Sequence, residues 1–112
     1  LDNTYSHPSP SGTYSLKHSL HGNRLILKYS TIVHFASERS LKEQLDRLKD
    51  SSAQIIDDCL SGLKKEYRDE TDSSLTIEDL GGTDDLELIS ATSNSPRKIA
   101  YFRYTRNVDI TT

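Results

Sequence analysis

One cysteine in 112 residues excludes an internal disulfide framework and suits a reducing cytoplasm, which is the expected location. No apolar run approaches the roughly 20 residues that cross a bilayer, so no membrane partner is expected. Nothing resembles a signal peptide. The chain opens on Leu1 rather than methionine, so a segment upstream of it is expected. A basic excess is missing too: Lys and Arg number 14 against 17 Asp and Glu, for a net charge of -3 and a pI near 5.8. That balance argues against general nucleic-acid binding, which needs a basic footprint.

Catalytic signatures are also missing. The sequence has no Gly-x-Ser-x-Gly elbow, no phosphate loop and no dinucleotide fingerprint. His18 and His21 have the spacing of two zinc ligands, but three residues apart on a strand they point to opposite faces. No second Cys or His pair follows to complete a cage. Asp57-Asp58 and Asp84-Asp85 are the obvious acidic pairs. Adjacent helical residues diverge by about 100°, so Asp57 and Asp58 do not readily share a proton or a metal. Asp84 and Asp85 read as complements to a turn or a helix start. No enzyme, cofactor or metal site is therefore expected. Cys59 lies on the helix's apolar face with Asp57 and Asp58 beside it, which predicts a buried structural thiol rather than a nucleophile.

What the chain does contain is pattern. Hydrophobic residues make up 33% and charged residues 28%, enough for one lean domain with a modest core. Residues 1–12 are rich in Ser and Pro with little periodicity, and read as a flexible arm; an extended arm on a neighbouring subunit is the alternative. The domain proper spans 13–112. From Thr13 to Ala36 a hairpin is predicted around Gly22-Asn23, a two-residue turn with glycine first. That turn sets Leu20 against Leu25, His18 against Leu27 and Leu16 against Tyr29, and every apolar partner falls on one face.

A long amphipathic helix follows, from Ser37 to about Glu70. Leu41, Leu45, Leu48, Ser52, Ile56, Cys59, Leu63 and Tyr67 recur every three or four residues. Ser40 with Glu43 fits the capping-box spacing, with Ser37 as an earlier cap. Gly62 should weaken the helix by about 1 kcal/mol relative to alanine. Such a rod is roughly 50 Å long, against about 35 Å for the diameter of an average domain of this length. A strand from Arg24 to Ala36, about 40 Å long, could shelter most of it.

Beyond the helix, 74–80 reads as a short strand that Gly81-Gly82 breaks. Residues 85–92 read as a strand rather than a helix, 93–97 as a turn, and Lys98 to Ile110 as a long last strand. Ala100, Phe102, Tyr104, Val108 and Ile110 share one face of that strand, with Arg106 the exception. The expected fold is α+β: an antiparallel sheet of two hairpins with one long helix across one face, ββαββ in order.

No motif selects a function, so the expectation rests on surfaces. The apolar stripe doubles at Ile55-Ile56 and Cys59-Leu60 and continues to Leu63, and these five residues are the candidate interface. A small non-enzymatic structural or assembly protein acting as a homo-oligomer is the leading expectation. Protein components of larger particles, viral or phage parts included, fall in that class. The alternative is a single-stranded nucleic-acid module using Arg97, Lys98, Tyr101, Arg103 and Arg106, since aromatics and arginines on an open sheet face are what such platforms use.

Overall fold

The chain runs β1 (Asn3–Ser9), β2 (Gly12–His21), β3 (Arg24–Phe35), α1 (Glu38–Glu70), β4 (Thr76–Ser90) and β5 (Lys98–Thr111). The structure, a computed structural model, describes the backbone of residues 3–9, 12–70, 76–90 and 98–111 and the side chains of 14–66, 76–89 and 98–111. The strands form one antiparallel sheet in the order β1-β2-β3-β5-β4. The helix packs over β3 and β5, giving the expected α+β layering.

The hairpin register is the one the turn dictates. Leu20 faces Leu25, His18 faces Leu27 and Leu16 faces Tyr29. Gly22 has φ 61, the left-handed value that a glycine-first turn requires. The neighbouring Asn23 carbonyl accepts a 2.8 Å bond from the Ile110 N–H, which fastens the turn to β5. Within the segment read as a flexible arm, Asn3–Ser9 lies as β1 against β2, from Asn3 opposite His18 to Ser9 opposite Gly12.

Ser37, not Ser40, caps the helix. Its Oγ accepts from the Ser40 N–H at 3.2 Å and its carbonyl accepts from Leu41 N–H at 3.0 Å. The Ser40 hydroxyl sits where a capping box places a Glu or Gln, and accepts from the Ser37 N–H at 3.4 Å. A serine thus closes the reciprocal box one turn earlier than the Ser40–Glu43 spacing suggests. The turn expected at 93–97 and the Tyr67 side chain lie outside the described residues.

Gly81-Gly82 bends the fourth strand without ending it. The β4–β5 register slips between Asp79 and Gly82, so one strand continues through a bulge where two short ones are predicted. Gly81 takes φ 92 and donates its N–H to Asp79 Oδ1 at 2.9 Å. Gly82 is needed for a different reason: a Cβ there would collide with the Tyr104 phenol. The slip also corrects the phase. Ile77 and Leu86 fall nine residues apart, an odd spacing, yet both pack against the core.

The core is the alternation made solid. Leu25, Leu27, Tyr29, Val33 and Phe35 of β3 meet Ala100, Phe102, Val108 and Ile110 of β5, with Leu48, Ile56 and Leu60 of α1 above them. Tyr29 stacks on Tyr14 at 4.8 Å between centroids and meets Phe102 edge-on at 6.3 Å. Because sheet and helix are both long, the molecule extends 58 × 23 × 22 Å. Its radius of gyration is 16.5 Å, against about 13 Å for an average domain of this length.

Candidate self-association surface

Strand alternation gives the sheet a second face that α1 does not cover. Across it run Ser15, Lys17, Ser19 and His21 of β2, then Arg24, Ile26, Lys28, Ser30, Ile32 and His34 of β3. Ile99, Tyr101, Arg103, Thr105, Asn107 and Asp109 of β5 follow, with Glu78, Thr83, Asp85 and Glu87 of β4. All of these are exposed or half-buried. Ile32 keeps 50% of its surface in solvent.

Charge on this face is segregated. Lys17, Arg24 and Lys28 stand on the β2–β3 half, whereas Glu78, Asp85, Glu87 and Asp109 stand on the β5–β4 half. Arg103 is the one guanidinium among the carboxylates, bonded to Asp85 at 2.6 Å and Glu87 at 3.3 Å. The bond to Asp85 pushes its pKa up; the slight desolvation opposes this, and the charges of Asp85, Glu87 and Tyr101 reinforce it. Arg24 reaches across to Asp109 at 2.8 Å. Lys17 and Lys28 face each other in register and form no ion pair among the described residues. Like charges directly opposite in a ladder are destabilising.

The helix-side face is held differently. Arg106 is the cation in the apolar row of β5, and its side chain is only 10% exposed. It donates to Asp57 of α1 at 2.7 Å, to Asp79 of β4 at 3.0 Å and to the Tyr104 hydroxyl at 2.7 and 3.0 Å. Burial works against its charge, but the bonds to Asp57 and Tyr104 and the charges of Tyr104 and Asp79 outweigh it, and its pKa is raised. One side chain thereby ties helix, bulge and central strand together. Asp58 turns away to Gln54, as the helical angle requires. Asp84 pairs with Lys49 on the helix side and Asp85 with Arg103 on the other face, so neither acidic doublet converges.

The five residues expected to form an interface divide. Ile56 and Leu60 are buried in the chain's own core, so they are not available to a partner. Ile55, Cys59 and Leu63 are half-buried against that core. The reason is length: β3 and β5 run far enough beneath α1 to take up the doubled seam. Ile55 also lines a groove of about 560 Å³ between the first half of α1 and the end of β3, with Ile32, Val33, His34 and Leu48. Cys59 is half-buried rather than buried as expected, and this partial burial pushes its thiol pKa up.

The residues of the alternative reading do not share one surface. Arg103 lies 5.2 Å from the Tyr101 ring on the open face, and Lys98 is exposed at the start of β5. Arg106 is buried on the opposite face and Arg97 lies outside the described residues. Sequence reasoning missed Lys17, Lys28, Asp85 and Glu87 as one constellation. The signal was present in the strand parity, but the bulge had to be known before β4 could be phased. Among the described residues no cluster of His, Cys, Asp and Glu could hold a metal, and no helix is long and apolar enough to cross a membrane.

No protein-family model, curated protein or solved structure matches the chain. Fold and surface chemistry carry the functional reading.

Proposed function

We propose that the protein is a small non-enzymatic structural or assembly protein that works as a homo-oligomer in the cytoplasm. The observation that carries this reading is the uncovered sheet face. Four strands about 4.8 Å apart and about 40 Å long make a surface of roughly 750 Å², close to the roughly 800 Å² per partner of a standard interface. Ile26, Ile32, Ile99 and Tyr101 give it apolar patches between its charges. Symmetric pairing of identical surfaces is the common route by which one chain builds a larger object.

The test is the mass in solution. Light scattering after size exclusion at tens of micromolar should give a multiple of 12.6 kDa. A clean monomer mass would overturn the proposal.

A further inference from the structure

The segregated charge of the open face has a geometric consequence. A two-fold axis lying in the interface along the strands carries the β2–β3 half of one copy onto the β5–β4 half of the other. An axis across the strands would set each half on its own kind. Only the first arrangement places Lys17 and Lys28 near the partner's carboxylates, and it keeps the two sheets aligned, the usual way in which sheets stack.

We infer that a second copy of this chain docks face to face on the open sheet about a two-fold axis parallel to the strands, its acidic β5–β4 half lying over the half that carries Lys17, Arg24 and Lys28. The inference rests on the self-association proposed above and names its surface and symmetry. Two features of the single chain support it. Lys17 and Lys28 stand opposite each other with no described counter-charge, so the monomer carries a repulsion that a partner relieves. Asp85 and Glu87 share one guanidinium, Arg103, which leaves the β4 side with surplus negative charge. Each half lacks what the other half has in excess. Burying these pairs side by side with Ile26, Ile32, Ile99 and Tyr101 places them where solvent screens them less.

Charge reversal tests this without disturbing the core. Lys17→Glu/Lys28→Glu replaces one like-charged pair with another, and Asp85→Lys/Glu87→Lys changes exposed positions only. Each double variant alone should run at monomer mass while keeping its circular-dichroism spectrum. A one-to-one mixture of the two should recover the dimer mass, because each reversed half then faces the other variant's reversed half and each native half faces a native one. A wild-type dimer whose variants both remain dimeric would overturn this arrangement while leaving self-association intact through another surface. A wild-type monomer would overturn both. Two monomeric variants that stay monomeric when mixed would also refute the pairing, since complementarity would be restored without effect.

Discussion

Arg106 allows a direct test of what holds α1 to the sheet. Its side chain is 10% exposed, whereas Asp57 and Asp79 keep 55% and 40% of theirs in water. The cluster is therefore lopsided: a desolvated cation held by two carboxylates that remain half hydrated. Replacing the cation with an apolar side chain of similar length, Arg106→Met, removes the desolvation cost and leaves two acids that water can satisfy. Substitutions of this kind for buried ion pairs are often neutral or better, so the change should be within about 1 kcal/mol of wild type.

Removing the acids is a different perturbation. Asp57→Ala alone should cost about 1 kcal/mol, because a half-exposed ion pair is screened and Asp79 remains. Asp79→Asn keeps an oxygen for the Gly81 N–H but turns a donor toward Arg106. The two together leave the buried guanidinium with the Tyr104 hydroxyl as its remaining partner in the cluster, and should cost about 3–5 kcal/mol. Urea titration reads these differences directly, and in thermal melts the double variant should fall by on the order of 10 °C or more. If Arg106→Met proves as damaging as the double acid variant, the cluster is a net source of stability and the desolvation reasoning fails.

Two further predictions concern single positions. Gly62 sits in the helix interior, exposed, with open space where a Cβ would go. Gly62→Ala should therefore raise stability by about 1 kcal/mol, and an unchanged or lower urea midpoint would show that the helix is not formed there. Burial, and after it the neighbouring Tyr14, push the Tyr29 phenol from 10.0 up to about 12. The folded state then holds this proton more tightly than the unfolded chain. Its contribution is complete below pH 10 and is lost as pH rises toward 12. A two-unit shift corresponds to at most about 3 kcal/mol. Tyr29→Phe should escape that loss, so the stability of the variant relative to wild type should improve across this interval. Parallel alkaline losses in both proteins would refute the assignment.

The fold was legible where local and global signals agreed. Gly22 set the turn, the turn set the register, and the register put Leu16 and Leu20 of β2 on one face with Leu25, Leu27, Tyr29, Val33 and Phe35 of β3. The helix was equally plain, since its stripe and charges keep one period throughout. Three features resisted for separate physical reasons. The β1 segment lacks apolar alternation in its sequence, and its pairing with β2 needs only the backbone. The β4 bulge hid because Gly81-Gly82 is also the signature of a chain break; only the odd spacing of Ile77 and Leu86 distinguishes the two. Arg106 could be marked as the exception in an apolar row, but its partners lie 49 and 27 residues away in sequence. No local pattern brings Asp57 and Asp79 to it.

The length of α1 does not widen its cover of the sheet. A helix is about 10 Å wide with its side chains, whereas five strands span about 24 Å. One helix therefore covers the centre of one face and no more. Its 33 residues run along β3 and β5 and take up Ile56 and Leu60. The flank stays open: Leu88 pairs with the buried Ala100 and so sits on the helix side, yet 63% of it remains exposed. Lengthening the helix cannot cure this, because the deficit is in width. A second helix could, but the described residues hold one. The flank is narrow and guarded by Asp84, whereas the open face is broad and carries both signs of charge in separate halves. Area and complementarity both favour the open face as the place where a second copy gains most.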